Sequence, residues 1–116
     1  MATLRGGAEP PTAEELAKSN QEHEAVLMEA LEIYKERNAK YGDAWRRSGW
    51  RGTLTDLRRK IERAWTFLWH AEPTPFGSPD HEANVETDDL FDIINYAVFS
   101  IRAHREGNRD GYGGWW

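Results

Sequence analysis

The residues of this chain best suited to chemistry fall in one short run, Asp88-Asp89-Leu90-Phe91-Asp92-Ile93-Ile94-Asn95-Tyr96. On a helix the three-residue step from Asp89 to Asp92 projects both carboxylates from one side, with Tyr96 a turn further on, while Asp88, Asp92 and Asn95 share the adjoining strip. The neighbours are apolar over most of the circumference, so the helix is packed on several sides and Asp92 and Asn95 must find partners away from water. Two carboxylates brought close in such a setting repel. A divalent cation that prefers oxygen would relieve them, and Mg²⁺ is the metal expected, on Asp89 and Asp92. The other reading makes Asp88 and Asp89 N-terminal charges for the helix dipole and pairs Asp92 with a basic side chain.

Further acids and bases lie upstream. Glu29 and Glu32 are a three-residue pair, with Glu29 at the border of an apolar stripe where it could face the acidic helix as a further metal ligand; a solvated charged face is the alternative. Lys60, Arg63 and Phe67 cluster on one border of a later stripe, a pattern suited to a phosphate and a base plane, because guanidinium offers paired donors and the ring offers stacking area. The alternative is a solvated basic edge that pairs with Asp89 or Asp92. Lys40-Tyr41-Gly42-Asp43-Ala44-Trp45 is a helix end followed by a polar, aromatic turn, where Lys40 and Asp43 could meet a ligand and Tyr41 and Trp45 form an aromatic wall or close the core. His23, His70, His81 and His104 are scattered without a helical pair, which gives no zinc pattern.

These groups need helices to position them. Pro10-Pro11 and the box Thr12 to Glu15 open a first helix expected to run to about Lys40 and to end at Gly42, with Leu16, Val26, Leu27, Ala30, Leu31, Ile33 and Tyr34 as its inner stripe and its more polar N-terminal half the more exposed. Residues 44–52 read as an irregular or short helical connection. A second helix is expected from Thr53 or Thr55 to about His70, burying Leu57, Ile61, Ala64 and Leu68. Pro73, Pro75, Gly77 and Pro79 make residues 71–85 a loop. A third helix opens near Glu86 and runs to about Glu106, with Leu90, Ile94, Ala97 and Ile101 inside. The expectation is an all-α bundle of three main helices: a flexible head over residues 1–11, one helical domain over 12–106 and a mobile Gly/aromatic tail over 107–116.

Composition narrows the function. The chain has 116 residues, a size for one domain, and its 15 basic against 20 acidic side chains argue against a protein that coats duplex nucleic acid. No apolar run reaches the length of a membrane span and the N-terminus lacks a signal-peptide core, so a soluble cytoplasmic protein with no membrane partner is expected. The absence of cysteine excludes disulfides and thiolate sites. So small a core beside so many aromatics favours a homo-oligomer.

The ordered motifs Lys40-Tyr41-Gly42-Asp43-Ala44-Trp45, Lys60-Ile61-Glu62-Arg63 and Asp89-Leu90-Phe91-Asp92-Ile93-Ile94-Asn95-Tyr96-Ala97 resemble the nucleotide modification associated domain 1 family of bacteriophages and bacteria. More distantly the chain is similar to the MazG-like all-α nucleoside triphosphate pyrophosphatases, whose acidic helix pairs hold Mg²⁺. Here Met28 stands where those enzymes begin their first acidic run, and the second acid pair comes a helix later. The resemblance implies phage-type nucleotide handling, in the host cytoplasm if phage-encoded, with Lys40, Asp43, Lys60, Arg63, Asp89, Asp92 and Asn95 around the pocket. The expected function is therefore nucleotide binding, with Tyr41, Trp45 and Tyr96 as further ligand contacts. If the protein is a hydrolase, Asp89 and Asp92, joined by Glu29 and Glu32, would hold Mg²⁺, Lys60 and Arg63 would neutralise phosphate, and Glu62 would orient water, with Asp92 and Glu62 as the catalytic pair. Two other classes are an accessory or sponge that sequesters a nucleotide without turnover, and a purely structural interaction module.

Overall fold

The computed structural model describes residues 9–70 and 89–111. The protein is all-α: α1 spans Ala13–Tyr41, α2 spans Gly49–Trp65 and α3 spans Phe91–Arg105, with a 3₁₀ turn at Ala44–Arg47 and a π-helical turn, Thr66–His70, closing α2. Among the described residues there is no strand. The expected loop at 71–85, the opening of the third helix at Glu86, the flexible head as far as residue 8 and the tail from residue 112 lie outside the described residues.

α1 starts where the sequence says. Thr12 Oγ1 accepts from the Glu15 N–H at 3.1 Å and the Glu15 carboxylate accepts from the Thr12 N–H at 2.9 Å, so two orphan donors of the first turn are satisfied reciprocally. The helix stops at Gly42, whose φ of +62° suits glycine and whose N–H donates to Asn38 O at 2.8 Å.

α2 begins earlier than its sequence announces. Gly49 to Gly52, read as part of an irregular or short helical connection, form its first turn because the donors that a helix start leaves free are taken by a distant stretch of chain. Trp50 N–H donates to Asn108 O at 2.9 Å and Arg51 N–H to Arg109 O at 3.1 Å. Gly49, with φ +67°, admits this approach: a Cβ there would stand 2.5 Å from the Arg109 carbonyl oxygen. Asn108, 2 % exposed, locks the same joint by donating from Nδ2 to Arg46 O at 2.9 Å and accepting at Oδ1 from the Gly111 N–H at 2.8 Å. The stretch expected to begin a mobile tail is thus built into the fold as far as Gly111.

α3 is the central element, packed most closely on α2 and on its other side against α1. Thr53 is fully buried at the α2–α3 crossing, its Oγ1 2.9 Å from Ser100 Oγ. The apolar interior is small: Ala30, Trp45, Ala64, Phe91 and Ala103 are buried, matched in number by Thr53, Asp89, Asp92, Asn95 and Asn108. Among the described residues, buried polar side chains thus equal the buried apolar ones in number, and each such group needs a partner. Several residues expected in the core are exposed instead, among them Leu27 and Leu31, which line a hollow between α1 and α3, Ile61 on α2, Leu90 just before α3 and Ile101 on it. The expected exposure of the first half of α1 is observed at Leu16 and Val26, and its cause is length: α1, with 29 residues, spans about 43 Å, roughly twice the reach of the 15-residue α3.

Candidate functional site

Each helix brings one strip to a common hollow. α1 presents Tyr34, Arg37, Asn38 and Tyr41, α3 presents Asp92, Asn95, Tyr96 and Phe99, and α2 adds Thr53 and Asp56. The first two sets share the spacing i, i+3, i+4, i+7, which keeps four side chains on one helix face. Between them lies a cavity of about 320 Å³, closed at one end by Trp45 and Ala44. That volume is at the lower end of the range for small-molecule sites. A second hollow of about 330 Å³ adjoins it, lined by Asp56, Arg59, Lys60, Arg63 and Tyr96. Asp56 and Tyr96 belong to both, so an aromatic chamber opens beside a basic one.

Asp92 stands at the divide. Its Oδ1 accepts from Arg37 Nη1 of α1, and its Oδ2 is 3.0 Å from Lys60 Nζ of α2. The carboxylate side chain is only 7 % exposed, whereas Arg37 is 46 % and Lys60 28 % exposed. Next to it, Asn95 Nδ2 donates to Ala30 O at 3.0 Å and ties α3 to α1. Asp89, 1 % exposed, places Oδ1 3.3 Å from Arg63 Nε, an ion pair whose alignment falls short of a hydrogen bond. Pairing of the basic edge with Asp89 and Asp92 is the alternative the sequence had left open. Burial pushes the Tyr96 phenol up from its ordinary value, and the charge of Asp56 adds to this, so at neutral pH Tyr96 stays a neutral donor in both hollows.

Trp45 is buried against Phe99, the rings nearly parallel with centroids 5.4 Å apart, and the guanidinium carbons of Arg46 and Arg102 lie 4.7 and 4.9 Å from its centroid. It is core and cavity wall at once. Tyr41 is exposed at the cavity mouth.

Asp43 does something other than meet a ligand. It accepts from Tyr34 Oη at 2.5 Å, Trp45 Nε1 at 3.1 Å and Arg46 Nη1 at 2.5 Å, and Arg102 Nη2 lies 3.6 Å away. Arg46 continues with a two-toothed grip on Glu106, at 3.1 and 2.9 Å. Desolvation acts to raise the Asp43 carboxyl, but the hydrogen bonds from Tyr34, Trp45 and Arg46 and the charge of Arg102 outweigh it and hold the group below its ordinary value. Asp43 thus ties the α1–α2 turn to α3 and does not line the cavity. Lys40 is exposed on the last turn of α1 and lines neither hollow.

The expected Mg²⁺ ligands are not brought together. Glu29 and Glu32 are exposed on α1, Glu32 lying 3.5 Å from Lys35, while Asp89 and Asp92 are held by cations. Among the described residues no three His, Asp or Glu side chains gather where a metal could sit, so this donor set does not fit a Mg²⁺ cage. Glu62 is exposed on α2, paired with Arg58 at 3.0 Å, and lines neither hollow.

Comparison of the chain with protein-family models, with curated proteins and with solved structures gives no match. The site residues that sequence reasoning missed are Tyr34, Arg37, Asn38, Thr53, Asp56, Arg59 and Phe99. For Tyr34, Arg37, Asn38 and Phe99 the signal was present as the i, i+3, i+4, i+7 sets on α1 and α3. A stripe of that kind reads first as core, and only the opposed helix shows whether it closes or leaves a space.

Proposed function

We propose that this protein binds a nucleotide without turning it over, with the base in the aromatic chamber and the phosphates along the basic edge of α2. One observation carries the reading: the aromatic chamber and the basic hollow share Asp56 and Tyr96 as a common wall. Tyr41 and Tyr96 offer ring surface for stacking, which tolerates any base, with the packed pair Trp45 and Phe99 behind them, while Asn95 and Asp56 are polar groups suited to its edge. Arg59 and Lys60 lie four and three residues before Arg63 on α2, and the three suit a chain of phosphates. The likeness to the nucleotide modification associated domain 1 family supports the same reading through Lys60, Arg63, Asp92 and Asn95. Binding is favoured over hydrolysis because the acids that would hold a metal are dispersed or ion-paired and Glu62 faces water.

A nucleotide ligand implies a cytoplasmic setting, that of the host if the protein is phage-encoded. Among the described residues no helix is long and apolar enough to cross a membrane. The exposed apolar side chains Leu16, Leu27 and Leu31 of α1 support self-association, which sedimentation of the full chain tests against the mass of a single copy.

The function is tested by calorimetry with the four ribonucleoside triphosphates, with and without EDTA, followed by chromatography of the ligand. The expected result is metal-independent binding, ligand recovered intact, and loss of binding on Tyr96→Ala. Absence of heat with every nucleotide overturns the proposal, and release of phosphate or pyrophosphate replaces it with the hydrolase reading.

A further inference from the structure

The cations best placed to receive phosphate are already holding an anion. Arg37 and Lys60 come from different helices and meet on the two oxygens of one carboxylate, Asp92, which sits at the divide between the chambers. The three groups differ in freedom. Asp92 is fixed on the central helix with a side chain 7 % exposed, while both cations keep a share of solvent and have long, flexible stems. A phosphate entering the basic hollow meets Lys60 on its way, and Lys60 can turn to it only by loosening its hold on Asp92. If both cations left, a buried carboxylate would stand uncompensated, which is the expensive way to break such a pair.

We infer that Asp92 is an internal competitor for the ligand's phosphates, a positioning residue that sets how much negative charge a ligand must carry to bind. The inference rests on the nucleotide reading for its biological meaning, but its physics concerns phosphate alone. A ligand with a single phosphate depends on Lys60 and must outbid Asp92. A ligand with a chain of phosphates reaches Arg59 and Arg63 as well; these are paired with Asp56 and Asp89 and are the more exposed member of each pair, so the added contacts need no exchange with Asp92. The site therefore selects nucleoside polyphosphates over monophosphates by means of an acid that the ligand need not touch. This role is opposite in sign to metal ligation, in which loss of Asp92 weakens binding.

The test compares wild type with Asp92→Asn, which keeps the shape and removes the charge. The probes are inorganic tripolyphosphate and the mono- and triphosphates of the four ribonucleosides, with folding of the variant checked by circular dichroism. Tripolyphosphate is expected to bind the variant about tenfold more tightly than wild type, as removal of one unit charge beside the phosphates implies. The preference for triphosphate over monophosphate is expected to shrink, a change that a merely structural role for Asp92 would not produce. Equal or weaker tripolyphosphate binding by a folded variant overturns the inference, and so does failure of tripolyphosphate to bind either protein. Should the variant not fold, the Asp92 carboxyl carbon and Lys60 ammonium resonances of wild type decide: both shift on saturation with tripolyphosphate if the exchange occurs, and unmoved resonances overturn it. The two proposals fail separately. Tripolyphosphate exchange without any nucleotide binding sinks the nucleotide reading alone, and nucleotide binding that Asp92→Asn leaves unchanged or weakens sinks the competitor role alone.

Discussion

Among the carboxylates that meet two cations, exposed Asp110 with Arg51 and Arg109 aside, Asp43 and Asp92 have different surroundings. Asp43 is approached by Tyr34, Trp45, Arg46 and Arg102 within 3.6 Å, with aromatic rings packed around the knot. Asp92 is met by Arg37 and Lys60, lines the first hollow itself and reaches the second through Lys60. The chemistry is the same and the surroundings differ. Three hydrogen bonds, two of them from aromatic side chains, converge on Asp43 and fix the turn, whereas Asp92 is held by two long side chains and faces a hollow.

That contrast can be broken by mutation. Asp43→Ala removes the acceptor shared by three donors and is expected to lower unfolding free energy by about 3 kcal/mol in urea titrations, the largest effect among these substitutions. Gly49→Ala should cost about 2 kcal/mol or more by the same measurement, since its φ of +67° and the Arg109 carbonyl 2.5 Å from a Cβ leave no room. Lys60→Met should separate the two knots: a stability loss of about 1 kcal/mol or less, with triphosphate affinity falling about tenfold in calorimetry. Glu62→Gln is expected to change stability by less than about 0.5 kcal/mol and to leave nucleotide affinity as it was, because the group is exposed and paired only along its own helix.

The Asp43 knot also predicts a pH dependence. Its carboxyl is held below the ordinary value of 3.8, so the folded state takes up its proton later than the unfolded state does as pH falls. The stabilisation is complete above about pH 4 and is lost as pH drops through the folded value. Stability measured between about pH 4 and pH 2 should fall more steeply in wild type than in Asp43→Asn.

Much of the fold was legible locally. The Thr12–Glu15 box, Gly42 and Gly107 mark helix ends, and the apolar spacing marks the helices, because capping and periodicity act over three or four residues. The start of α2 was not legible, since its cap is the backbone of residues 108 and 109, more than fifty positions away. Nor was the core: Leu16, Leu27 and Ile101 have the right spacing, but the partner helix is too short or displaced to cover them. For the site, the types were readable and the partners were not. Lys60, Arg63, Asp89, Asp92, Asn95 and Tyr96 stood out as chemistry-bearing, yet nothing local distinguishes an acid that takes a metal from one that takes Arg37.

By itself the sequence determined that the chain is helical, where two of its helices stop, and that its last helix presents acids among apolar neighbours, all consequences of backbone sterics and short-range hydrogen bonding. The tertiary structure decided which charges meet. Coulomb pairing depends on distance in space, and the crossing of α3 between α1 and α2 puts Arg37 and Lys60 on one carboxylate, Arg46 and Tyr34 on another, and the first of these carboxylates on the wall of a cavity.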